Sequence, residues 1–288
     1  MKIKDFILPI IAIVLIIYYI FTHLTKEEVI IVKLISPDTN IQKITYKSSD
    51  VNFTASLDNK SWQILSPEVV PANKSMLDEL VSSLKDTNVI TELGKVDNES
   101  IYNINDDNYL IVGNGKSSKI YIGKKDPSYK MVYVKTGNDN HIKLVDASFT
   151  SNLPVSLNQI KDKTIYSFET SNLKNYTIKI DNKTYELAKT DNNTFTVNQS
   201  KLDDNKSKKL MSSISNLVAN TFVDGQNALD NASKVGFIKY NTDNVSFAID
   251  VFKLKDGDYI LPLKGKSLFK IYGFAMENFI KTFDSINK

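Results

Sequence analysis

Two triplets, Gly115-Lys116-Ser117 and Gly265-Lys266-Ser267, carry the residue types that close a phosphate-binding loop. The full pattern is Gly-x-x-x-x-Gly-Lys-Ser/Thr, in which the first glycine lets backbone amides wrap the phosphates. Five residues before Gly115 stands Leu110, and five before Gly265 stands Ile260, both apolar. The strand–loop–helix context is missing as well. "KIYIG" and "LFKIYG" continue as strands, and Gly113-Asn114-Gly115 reads as a hairpin turn. Neither triplet is read as a nucleotide site.

Other reactive groups are sparse. The chain has two histidines, His23 and His141, and no motif supplies a nucleophile and an orienting acid beside either. Cysteine is absent, which removes disulfides, thiolate nucleophiles and Cys-ligated zinc. The acidic pairs Asp106-Asp107 and Asp256-Gly257-Asp258 lack the Asp-x-Asp-x-Asp-Gly spacing and distal Glu of a calcium loop, and read as solvated turns. No pair of carboxylates stands out for glycoside hydrolysis. The sequence therefore nominates no catalytic residue, no cofactor-binding residue and no metal ligand. Nucleic acid is not expected either: the formal charge is only +3, and all 36 basic residues are lysines, which lack the bidentate fork.

What positions the chain is its start. Lys2 and Lys4 precede an uninterrupted apolar run from Phe6 to Phe21. With Thr22, His23 and Leu24 the run reaches the lower end of what crosses a hydrocarbon core, roughly 17–25 residues. A cleaved signal peptide is the rival reading. Against it, the run exits through Tyr18-Tyr19-Ile20-Phe21, bulky residues with no small-x-small site, and tyrosines at that depth suit an interfacial belt. The lysines keep the N-terminus inside. The expectation is a cytoplasmic tip over 1–5, an anchor in the lipid bilayer over 6–25, and the bulk of the chain outside a bacterial cytoplasmic membrane.

The remainder repeats itself. "DNKSW" at Asp58–Trp62 matches "DNNTF" at Asp191–Phe195, and "LVSSL" at Leu80–Leu84 matches "LMSSI" at Leu210–Ile214. "KIYIGKKDPSYKMVYVK" (Lys119–Lys135) aligns without a gap on "AIDVFKLKDGDYILPLK" (Ala248–Lys264). The offsets are 133, 130 and 129 residues, too long a period for a solenoid and right for two domains. Each copy starts with alternating strands punctuated by Asp58-Asn59 and Asp181-Asn182. A helix follows, capped by Asn73 or Asp203. Its apolar stripe is Leu77, Leu80, Val81 and Leu84 in one copy, and Leu210, Ile214, Leu217 and Val218 in the other. Strands then return. Trp62 and Phe195 are expected to fill the same core position. The predicted fold class is α+β: a transmembrane helix, then two tandem repeats over 26–160 and 161–288, each a mostly antiparallel sheet covered by one main amphipathic helix.

An anchor, a strand ending in Trp62, a helix start at Ala72-Asn73, the Lys119–Gly123 and Val132–Val134 strand pair and "IKDKTIYSF" at Ile160–Phe168 together resemble the bacterial domain-of-unknown-function family 4340. Members of that family are often duplicated and membrane-anchored and occur beside ABC-type exporter and gliding-motility auxiliary genes. The arginine common at the inter-repeat junction of the family is Lys161 here, and the Tyr-Gly-Leu and proline after the helix are missing from "IYNINDD", whereas "VGFIKY" keeps its glycine. The resemblance implies location and a partner class, other membrane or envelope proteins, and no activity. The expectation is a non-enzymatic extracytoplasmic scaffold or auxiliary subunit, with an ABC-type transport system as partner. The alternatives are a sensor or regulator that binds a small ligand or peptide between the repeats, and an envelope hydrolase.

Overall fold

A computed structural model describes residues 13–19, 32–137, 141–190, 194–223, 226–263 and 268–286. Residues 13–19 are helical, and no described helix is long and apolar enough to cross a membrane. The rest of the expected anchor over 6–25, together with His23 and Gly265–Ser267, lies outside the described residues.

The first half of the chain builds β1 (Val32–Lys33), β2 (Lys43–Lys47), β3 (Asn52–Asp58), β4 (Ser61–Ser66), β5 (Val70–Pro71), helix α1 (Lys74–Asp86), β6 (Asn88–Gly94), β7 (Tyr109–Asn114), β8 (Lys116–Lys125), β9 (Met131–Thr136), β10 (Ile142–Asp146) and the short helix α2 (Leu157–Ile160). Strands alternate buried and exposed residues, with Ile44 and Tyr46 of β2 and Phe53 and Ala55 of β3 facing inward. That period of two fits one covered face. Helix α1 lays Leu77, Leu80 and Leu84 on that face, each fully buried. Its cap is as expected: the Asn73 side chain accepts from the Met76 amide at 3.2 Å.

The second half builds β11 (Thr164–Ser167), β12 (Leu173–Ile180), β13 (Lys183–Lys189), β14 (Phe195–Val197), β15 (Ser200–Lys201), α3 (Asp204–Ile214), β16 (Asn216–Val218), β17 (Thr221–Val223), β18 (Ala232–Thr242), β19 (Ser246–Leu254), β20 (Tyr259–Pro262), β21 (Leu268–Ile271) and α4 (Gly273–Asp284). Asp203 caps α3 by accepting from the Lys206 amide at 2.8 Å. Here the helical stripe was overextended. Helix α3 ends at Ile214, and Leu217 and Val218 belong to β16, because Asn216 pairs with Ser167 and draws the chain into a strand. A further long helix, α4, joins α3 over the second sheet, so this half carries two main helices where the sequence suggested one.

The two sheets share a strand order. The first runs β1-β6-β10-β9-β8-β7-β2-β3-β4-β5, and the second, taken from its β17 edge, runs β17-β21-β20-β19-β18-β12-β13-β14-β15. The separate β11–β16 ribbon stands where β1 meets the start of β6. One strand, β6, thus corresponds to β16 plus β17, broken at Ala219-Asn220. All of these ladders are antiparallel. The apolar cores separate along the chain, one drawing on residues from Leu34 to Ile160 and the other on residues from Ile165 to Ile286. Trp62 and Phe195 are both buried, and their carbonyls accept from Ala72 and Leu202 respectively, equivalent backbone bonds.

Candidate functional site: the junction between the sheets

Among the described residues, those weighed for chemistry do not converge. Gly115, at φ +77°, is the turn of the β7–β8 hairpin, with Asn114 opposite Lys116. A strand follows it rather than a helix, so no backbone cradle for phosphate forms. His141 precedes β10 and pairs with Glu92 on β6. The aligned segments continue one to the other through β9 and β20, yet Val132 opposes Val145 while Leu261 opposes Phe269. The register counterpart of Lys270 is therefore Asp146, and the alignment of the two halves does not place His141 opposite it. The acidic turns hold lysines: Asp106 binds Lys119 at 2.6 Å, and Lys270 lies 3.5 Å from Asp256 and 2.8 Å from Asp258. The Lys119 hydrogen bond and charge hold the Asp106 carboxyl below its ordinary range. No group of three or more metal-ligating side chains occurs among the described residues.

The buried aromatic cluster of the second core is a packing feature. The Tyr166 and Tyr176 hydroxyls lie 2.8 Å apart, and Tyr240 and Phe247 pack against Tyr166 at 5.2 and 5.3 Å between ring centroids. Burial pushes both hydroxyls well above the usual phenol value, so each keeps its proton and the pair shares a neutral hydrogen bond.

Polar groups of different elements do gather at the strap between the halves, residues 160–164. Its first part is an added strand on the first sheet. Lys161 bridges Ala72, the Asn73 amide donates to the Ile160 carbonyl at 2.7 Å, and the Asp162 amide donates to the Pro71 carbonyl at 2.9 Å. Its second part belongs to the other half. The Ala219 amide donates to the Lys163 carbonyl, the Lys163 ammonium donates to the Asn220 carbonyl, each at 2.9 Å, and Thr164 opens β11. The chain alternates its backbone groups between two partners, as an extended strand must.

Lys161 is only 6 % exposed. Its ammonium meets the Glu68 carboxylate at 2.5 Å, on the β4–β5 turn, and lies 5.3 Å from the centroid of the Phe222 ring on β17. One side chain thus ties a turn of the first sheet to an edge strand of the second through a charge-assisted hydrogen bond and a cation–π contact. Glu68 keeps access to solvent, its side chain 43 % exposed, which lowers the desolvation cost of the pair. Beside the strap a polar cleft of about 490 Å³ is lined by Asn73, Glu79, Ser151, Gln159 and Lys163, among others. The position of Lys161 was visible in the sequence, but its burial was not: a lone lysine between two modules gives no periodic signal.

A family model described as a domain of unknown function (DUF4340) matches residues 62–236, more than half of the chain, and its span runs across this junction. No curated protein and no solved structure matches the chain.

Proposed function

Since the chain belongs to the DUF4340 family, whose function is not assigned, we propose that it is a non-enzymatic scaffold or auxiliary subunit of an envelope complex. It is held in a bacterial cytoplasmic membrane by residues 6–25 with its N-terminus inside. An ABC-type transport system is the partner class. In this reading residues 26–160 and 161–288 are tandem copies of one module, in keeping with the common strand order and the equivalent caps.

The observation that carries the reading is the strap. Two modules linked only by a flexible tether would present independent surfaces, whereas a strand bonded on both sides, with a buried lysine across it, presents them as one. The anchor is supported by residues 13–19, helical and exposed at every side chain, including Ile13, Leu15 and Ile17. Such a segment needs an apolar surrounding, and the other described residues leave its side chains exposed. The test is crosslinking of the full-length protein in membranes, followed by mass spectrometry. Recovery of a permease or ATPase supports the proposal; reproducible absence of protein partners removes it.

The polar cleft of about 490 Å³ beside the strap, lined by the first module and by Lys163, favours a second reading, an extracytoplasmic sensor that takes a small ligand or peptide at the junction. In that case a ligand should raise the unfolding temperature of the intact protein.

A further inference from the structure

The strap occupies a sheet edge in the first module, and no described strand pairs with the equivalent edge in the second. We infer that the β15 edge, Lys201–Asp203, is a docking site for an extended acidic segment of a partner protein, added as an antiparallel strand. The inference rests on the scaffold reading and deepens it by naming the surface.

The register carries the argument. In the first sheet the Ala72 amide donates inward to Trp62, which turns the Pro71 carbonyl and the Asn73 amide outward, where the strap takes both. In the second sheet the Leu202 amide donates inward to Phe195 at 3.0 Å, so strand alternation turns the Lys201 carbonyl and the Asp203 amide outward in the same way. Strand β15 ends the sheet, and no strand pairs with its far side among the described residues. Edges of this kind recruit strands, with main-chain bonds giving affinity and side chains giving specificity.

The side chains beside the edge say what kind of strand. On α1 the second turn is acidic, with Asp78 and Glu79, and the strap that docks near it brings Lys161 and Lys163. On α3 the equivalent residues are Lys208 and Lys209, both exposed, with Lys201 on the edge itself. Among the described residues none of these three lysines has an acidic partner. In the strap Lys161 goes to Glu68 and Lys163 to the Asn220 carbonyl, so it is the three lysines beside the β15 edge themselves that call for Asp or Glu in a complementary segment. Two acids lie beside them, Asp203 on the edge itself, its side chain turned to the Lys206 amide as the cap of α3, and Asp204 on the first turn. The smaller Phe195 in place of Trp62 goes with a recess of about 350 Å³ next to the edge, lined by Phe195, Met211 and Lys208 among others, with room for an apolar side chain.

The test uses full-length protein in detergent micelles and two synthetic peptides. One has the strap sequence, residues 158–165, and the other carries Lys161→Glu and Lys163→Glu. The acidic peptide should slow backbone hydrogen exchange across Lys201–Asp203 and bind about tenfold more tightly than the lysine peptide. The double variant Lys208→Glu/Lys209→Glu, which copies the charges of α1 and so keeps the fold, should lose that preference. Equal response to both peptides, an unchanged preference in the variant, protection elsewhere or none at millimolar peptide would overturn the assignment. Protection that rises with protein concentration alone would give the edge to a second copy of the chain and overturn it too. Such failures leave the membrane crosslinking result standing, while a bound peptide with no crosslinked partner would fell the scaffold reading alone.

Discussion

Gly236 has no room for one more carbon. A Cβ built there would lie 1.7 Å from the Lys179 carbonyl oxygen and 3.1 Å from the Ile180 Cα, because β18 bulges between Lys234 and Gly236 and presses against β12. The obstacle is backbone in a central strand, so it cannot swing aside as a side chain would. Gly236→Ala is expected to cost about 3 kcal/mol, read as a lower urea midpoint with an unchanged slope. A different balance governs Tyr185, whose hydroxyl donates to the Asp284 carboxylate. Burial first, then that carboxylate, pushes the phenol up to about 12. A group raised on folding supports the fold below its unfolded value, near 10, and that support drains away as pH climbs toward 12. Tyr185→Phe removes both the bond and the titration. The variant should be less stable than the parent at pH 8 and should close that gap as pH rises from 10 to 12, followed by denaturant titration at each pH. A gap that stays constant across the range would contradict the assignment.

At the scale of elements, the strap shows which contact dominates. The Glu68 side chain is 43 % exposed, so if Lys161 is lost the carboxylate returns to water at little cost. The lysine stem, by contrast, is buried and lies against Phe222. Lys161→Met keeps the packing and should stay within about 1 kcal/mol of the parent, whereas Lys161→Ala should lose about 2 kcal/mol and lower the thermal unfolding temperature. Equal losses would show that the ion pair rather than the stem carries the junction. The strands, the two caps and the paired aromatic positions were legible in the sequence because each is a local pattern: alternation, Asn or Asp before a helix, Trp62 and Phe195 in matching places. Helix α4 left a readable signal that went unused, Met276, Phe279, Ile280 and Phe283 at helical spacing, all packed on the second core. Leu217 and Val218 fit a helical stripe by spacing alone, and only their pairing partner in β11 reveals a strand. The strap itself could not be read, since five residues bonded in turn to one half and then the other follow no period.

For the whole molecule, the common strand order makes one edge comparable with another, and that comparison, rather than any pocket, singles out Lys201–Asp203. Sequence comparison aligns one half on the other; it does not say which edges each leaves unpaired among the described residues, because backbone direction is not written in side-chain identity. The placement of entry and exit has a mechanical consequence. The chain joins the first sheet at β1 and leaves beyond β5, the opposite ends of a ten-stranded ladder. Tension applied between β1 and the second half would therefore run crosswise, parting neighbouring strands one hydrogen-bonded pair after another like a zip, and the short grips at the two ends, the single Lys161–Ala72 bridge and the two residue pairs of β1 on β6, would yield first.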